Sequence, residues 1–193
     1  MSASPVRDVV VVPSTLALLP EYAGLTDPVA DLRAACREAV AWLVERNPSH
    51  LDIVGAPARP DNEARGVTRP ASVAIARHLL LEAEFHGSIG ALPSSGVLVV
   101  ANGSATRSEK APGHLDERAF DFDDTLGAAL RDGDPGVLRD LDTGLGEDLL
   151  CHDVPAWKQL GSLTRGPVTS VQVDYDDDPY GVQYWVVRWQ CGS

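Results

Sequence analysis

Short β-branched runs alternate with stretches in which apolar residues recur every three or four positions, and this alternation organises the first hundred residues of the chain. Val6–Val12 is a short, largely apolar run whose four consecutive valines show no helical period, and it ends at Pro13, which predicts a buried strand. After a long loop, Asp27 is placed to cap a helix with Pro28 at its first position. Val29, Leu32, Cys36, Ala39, Val40 and Leu43 then keep helical spacing as far as Arg46, and Asn47-Pro48 stops the helix. Leu51–Val54 reads as a second buried strand and Gly55–Val67 as a polar loop. Pro70 opens a helix running to about Glu84, and Gly96–Val100 makes a third strand. The βαβαβ order predicts a three-layer α/β fold, a mostly parallel central sheet with helices on both faces. Ligand sites in such sheets lie beyond the carboxyl ends of the strands, so Pro13–Thr26, Gly55–Arg69 and Ala101–Leu115 are the loops to watch.

The second half is helical before the sheet resumes. Asp116 is expected to start a helix with Ala119, Phe122, Leu126, Ala129 and Leu130 as one apolar stripe, ended by Gly133. Asp134-Pro135 starts a short helix, and Asp153 caps another that carries Trp157 and Leu160 inward up to Gly161. Ser170–Tyr175 and Gly181–Trp189 are β-branched and aromatic with turn residues Asp176–Tyr180 between them, which predicts a C-terminal antiparallel hairpin. With no internal repeat and no linker, residues 1–193 read as a single domain.

Composition narrows the partners. The formal net charge is −12, so the positive surface that holds a phosphate backbone is missing, and neither nucleic acid nor an anionic membrane is an expected partner. No apolar run approaches the roughly 20 residues that cross a bilayer, and no basic segment leads into an apolar one at the N-terminus, so the expected location is cytoplasmic. Cys36, Cys151 and Cys191 are widely spaced, which indicates neither a disulfide framework nor a zinc knuckle.

Three segments, VVPSTLALLPE near the start, VVANGSATRSEKAPGHLDERAFDFDDTLGAALRDGD in the middle and YDDDPYGVQYWV near the end, follow one another in an order that resembles a small bacterial branch of the class III extradiol ring-cleavage dioxygenases, the family of the catalytic B subunit. The likeness covers most of the chain, with the stretch between Ala58 and Arg69 shortened. It implies a three-layer α/β fold, a ferrous iron held by two histidines and a glutamate, and a further histidine acting as acid/base while oxygen enters a catechol ring. Carried over position by position, the chemistry is missing. Ser14, followed by Thr15 and Leu16, stands where the resemblance places the first ligand histidine. Pro57 and Ala58 stand at the second, and Ala105, after Ser104, at the acid/base position.

Five histidines occur elsewhere. Non-haem iron of this kind needs two imidazoles and a carboxylate on one face. His50 precedes the second strand, roughly 13 Å from its far end at the usual rise per residue. His78 and His86 belong to the second helix or its end. His114 and His152 remain as candidates for a rearranged iron site.

The loop after the third strand offers other chemistry. Arg107, Glu109 and Lys110 crowd a turn beside Asn102, Gly103 and Ser104, so Lys110 with the Gly103 and Ser104 amides could hold a carboxylate or phosphate. The same residues could instead form an internal ion pair of Glu109 with Arg107 or Lys110. G-x-S-x-G is absent, which argues against an acyl-transfer serine. Asp176, Asp177 and Asp178 read as a solvated hairpin tip rather than a cation site, and Tyr180 could lend its hydroxyl to a ligand. The expectation is therefore a dioxygenase-like protein that has lost iron and ring cleavage. It keeps a strand-end pocket for a small anionic metabolite or a partner, lined by Ser14, Asn102, Gly103, Ser104, Arg107, Glu109, Lys110 and Tyr180, and it needs no cofactor. Two alternatives stand beside it: an active Fe(II) enzyme rearranged around His114 or His152, and a self-associating protein whose last strand exposes its aromatics, as a homo-oligomer would use.

Overall fold

The computed structural model describes residues 6–22, 27–47, 49–58, 64, 66, 69–90 and 95–192. Pro48, residues 23–26 and most of 59–68, where the shortened segment and much of the Gly55–Arg69 loop fall, lie outside the described residues. The elements are β1 (Asp8–Val12), α1 (Ala30–Arg46), β2 (His50–Gly55), α2 (Ala71–Glu82), β3 (Ser88–Ile89), β4 (Gly96–Val100), α3 (Arg118–Asp132), α4 (Pro135–Arg139), α5 (Thr143–Asp148), α6 (Val154–Leu163), β5 (Val168–Asp177) and β6 (Tyr184–Cys191). Two short 3-10 turns, Leu16–Leu18 and Pro20–Tyr22, sit in the loop after β1.

The strands form one sheet in the order β3-β2-β4-β1-β6-β5, parallel from β3 to β1 and antiparallel across β6 and β5. Every residue of β1 and β4 is buried, as expected for central strands covered on both faces. Side chains alternate between the faces with period two. Val9, Val11, Val97 and Val99 pack with Phe122, Leu126, Leu138, Trp157 and Leu160 of α3, α4 and α6. Val10, Val12, Leu98 and Val100 pack on the other face with Leu32, Cys36, Val40 and Leu43 of α1 and Ile75 and Leu79 of α2. This is the three-layer α/β arrangement with a C-terminal antiparallel hairpin.

Differences from the sequence reading have local causes. The Asp27 and Asp116 carboxylates do take backbone amides, but those of Val29 and Arg118, two residues on. Each closes a turn ahead of the helix, and α1 and α3 begin later than their acids suggest. Asp134 caps α4 as expected, accepting the Gly136 amide at 2.8 Å. Helix α5, capped by Asp142, was not foreseen because six residues with two glycines show no helical period. The two-residue β3 pairs only with His50 and Leu51. Beyond it, the Ile53 amide is taken by the carboxylate of its neighbour Asp52. The last-strand aromatics are not exposed: Tyr184, Trp185 and Trp189 are all buried, which removes them as a self-association surface. No helix among the described residues is long and apolar enough to cross a membrane.

Gly133 ends α3 in the left-handed region, φ +66°, and a Cβ there would lie 2.7 Å from the Val168 side chain. Gly133→Ala is expected to cost about 1–3 kcal/mol, read as a lower urea midpoint at unchanged slope.

Candidate ligand pocket at the strand ends

A cavity of about 560 Å³ opens where the parallel strands β1, β2 and β4 end, a volume in the range that holds small ligands. Its wall takes Ser14 and Leu16 from the loop after β1, Pro57 and Ala58 from beyond β2, and Asn102, Gly103 and Ala105 from beyond β4. Arg69 ahead of α2, Ser72 and Ala74 at its start, His152 and Asp153 ahead of α6, and Val182 ahead of β6 also line it.

Asp153 organises the polar part of this wall. One carboxylate oxygen accepts the Ser14 hydroxyl at 2.5 Å and the Asn102 amide at 2.9 Å. Asn102 is held from every side. Its side-chain oxygen accepts the Ser14 amide at 2.8 Å, and its carbonyl accepts the Trp157 indole N–H at 3.0 Å and the Cys151 thiol at 3.5 Å. Three loops are thereby tied at one point. Asp153 does not cap α6 as its sequence position predicts, because its carboxylate turns to these loops instead. Burial pushes its carboxyl above the usual range, and the Ser14 and Asn102 hydrogen bonds oppose that shift.

A second buried carboxylate, Asp123 of α3, lies on the other side of the Asn102–Arg107 loop. It accepts the Ser104 amide at 2.9 Å, the Ser104 hydroxyl at 2.6 Å and the Arg107 guanidinium at 3.3 Å. Arg107 also donates to Asp178 at 2.5 Å and stacks over Phe120, 4.7 Å from the ring centre. Gly103 threads between them, because a Cβ there would meet Asp123 at 2.6 Å and Trp185 at 2.9 Å. The raised pKa of Asp123 comes first from burial, against its bonds to Ser104 and Arg107.

The sequence-predicted site residues therefore separate. Ser14, Asn102 and Gly103 line the cavity. Ser104 is fully buried in the Asp123 network, and Arg107 is committed to Asp123 and Asp178, so neither reaches the wall. Glu109 and Lys110 are exposed, form no ion pair among the described residues and stay off the wall. The internal pair expected of Glu109 is replaced by Arg107 with Asp123 and Asp178. Tyr180 is exposed, donates its hydroxyl to the Pro28 carbonyl at 3.2 Å and is also off the wall. Asp176 pairs with Arg131 and Asp178 with Arg107, so the acidic run does not converge and is more engaged than a solvated tip.

Ser14, Pro57, Ala58 and Ala105, the positions to which the resemblance assigns histidines, all face this one cavity. None offers an imidazole. His114 is exposed, at φ +58°, with its Nδ1 3.3 Å from the Glu109 carbonyl, and off the wall. His152 is the single histidine on it among the described residues. No three His, Cys, Asp or Glu side chains among the described residues come together as a metal site requires. The residues present do not fit a ferrous centre of two histidines and a carboxylate.

Sequence reasoning missed the two carboxylates that matter most here. For Asp123 a signal existed: with Ala119, Leu126 and Leu130 it keeps the four-three-four spacing of the buried stripe, where an acid needs a partner. For Asp153 none did, since its partner Ser14 lies 139 residues away.

No family model matches the chain, and no curated protein matches it.

A carboxyl whose folded pKa exceeds its unfolded value binds its proton more tightly when folded, so it favours folding less as pH rises between the two and contributes a constant amount above both. For Asp123 that window opens at the ordinary value of 3.8. The stability of the parent relative to Asp123→Asn should therefore fall as pH rises above about 4 and then level off, measured by chemical denaturation of both proteins at a series of pH values.

Proposed function

We propose that this chain is a bacterial, cytoplasmic protein like the class III extradiol dioxygenases that has lost ferrous-iron binding and ring cleavage, and that it uses the strand-end cavity to bind a small molecule. The observation that carries the reading is the convergence of Ser14, Pro57, Ala58 and Ala105 on one cavity wall. Positions that the resemblance makes catalytic meet in space, yet they supply a hydroxyl, a pyrrolidine ring and methyl groups. Such groups can shape a pocket. They cannot hold iron or move a proton at neutral pH. The ties from Asp153 to Ser14 and Asn102 keep the wall formed without a metal. An iron site rearranged around His114 and His152 gains nothing from this geometry, because only His152 reaches the wall. The free cysteines agree with a reducing compartment, and two of the three are buried.

The cations that the sequence offered for an anion, Arg107 and Lys110, are not on the wall. Arg69 is the one arginine or lysine there among the described residues, and it is exposed. The pocket's polar groups are Asp153, Asn102, Ser14, Ser72, Tyr22, His152 and the exposed Arg69, on a wall otherwise apolar.

Anaerobic titration of the whole protein with ferrous ion, followed by catechol and oxygen, tests the loss of function. The expected result is no stoichiometric iron and no oxygen uptake. Tight iron binding with ring opening would overturn the reading. In a thermal-shift screen of small amines, alcohols and carboxylates, compounds that raise the melting temperature of the parent are expected to lose that effect in Ala74→Trp, whose indole fills the cavity from α2.

A further inference from the structure

Asp153 keeps only 8% of its surface, yet it takes part in no ion pair within the described chain. Both of its hydrogen bonds, from the Ser14 hydroxyl and the Asn102 amide, fall on the same oxygen, Oδ2. The other oxygen, Oδ1, accepts none, and the residue lines the cavity. The contrast with the other buried acids is direct. Asp8 is paired with Arg46 and Asn47, and Asp123 with Arg107 and Ser104. A charge removed from water without a partner is costly, and chains normally compensate it internally. Asp153 has no cation beside it among the described residues, and burial instead raises its carboxyl above the usual range, which leaves Oδ1 open to a cationic occupant of the cavity.

We infer that the strand-end cavity takes a small primary ammonium ligand, with its charged nitrogen on the free oxygen of Asp153 and a compact apolar body against Leu16, Ala74, Ala105 and Val182. The inference rests on the reading of the cavity as a small-molecule site and names what that site prefers. An ammonium brings three N–H donors and a full charge, so it satisfies Oδ1 and neutralises the carboxylate together. An alcohol would supply the hydrogen bond and leave the charge. A carboxylate ligand would set two acceptors against each other. A metal ion would need further donors, and no set of three converges among the described residues. The thiol of Cys151 beside it is pushed well up by burial and stays neutral, so it adds no competing charge. The net charge of −12 draws cations toward the protein and repels anions.

Isothermal titration of the full chain with benzylamine, benzyl alcohol and benzoate decides the matter, since the three share one apolar body. Benzylamine is expected to bind about 10-fold or more tightly than benzyl alcohol, with benzoate weakest, and Asp153→Asn should weaken benzylamine about 10-fold or more. Asparagine keeps an oxygen for Ser14 and Asn102, and circular dichroism checks that the variant is folded. If it is not, the ranking of the three compounds on the parent still decides. Benzyl alcohol or benzoate binding as tightly as benzylamine would overturn the ammonium assignment and leave the cavity reading standing. Benzylamine binding that survives in Asp153→Asn or Ala74→Trp would place the amine elsewhere and overturn the inference. Failure of benzylamine to bind would also overturn it, whereas the reading beneath it falls only if the iron titration succeeds.

Discussion

Three loops converge at the strand ends because two backbone amides and two side chains meet around Asp153 and Asn102. Ser14 donates both its amide and its hydroxyl into this group, Asn102 gives its amide and receives the Trp157 indole, and Asp153 anchors both. Two of these loops leave different strands and the third joins α5 to α6, so the sheet alone does not bring them together. These bonds are half-buried on the cavity wall, so losing one costs the bond and its geometry even where water can reach the group left behind. The cavity therefore has a defined wall, and its shape depends on polar ties rather than on the apolar layer beneath.

The Asn102–Arg107 loop is fixed on both sides by acids of opposite situation. Asp123 is compensated by Arg107, itself bridged to Asp178 in the hairpin turn, so α3, the loop and the hairpin are locked together. Asp153 has hydrogen bonds without a cation. The first arrangement is structural: every charge finds its opposite within the chain, and Ser104 is sealed from solvent. The second leaves a charge facing a cavity, which is how binding sites differ from cores.

Much of the fold was legible because the core strands announce themselves locally. β1 and β4 are dominated by valine, and the apolar stripe of α1, from Leu32 to Leu43, is the one the structure buries. What escaped was short or non-local. The six-residue α5 and two-residue β3 carry too few positions for a period, and Asp27 and Asp116 close turns that a linear reading takes for caps. For the site, topology pointed to the right loops, and Ser14, Asn102 and Gly103 are on the wall. Arg107 looked available because its partners, Asp123 and Asp178, lie 16 and 71 residues away. Local sequence shows that a charged side chain exists; only the assembled chain shows whether it is already spoken for.

The brevity of β3 leaves Asp52 to Gly55 of β2 paired with β4 on one side and, among the described residues, with no strand on the other. A bare strand flank is a template on which foreign chains polymerise. Here Asp52 folds its own carboxylate onto the Ile53 amide, occupying a donor that an incoming strand would need and setting a negative charge beside it. That flank thus has one amide donor already taken and a carboxylate beside it, both unfavourable to the docking of another strand.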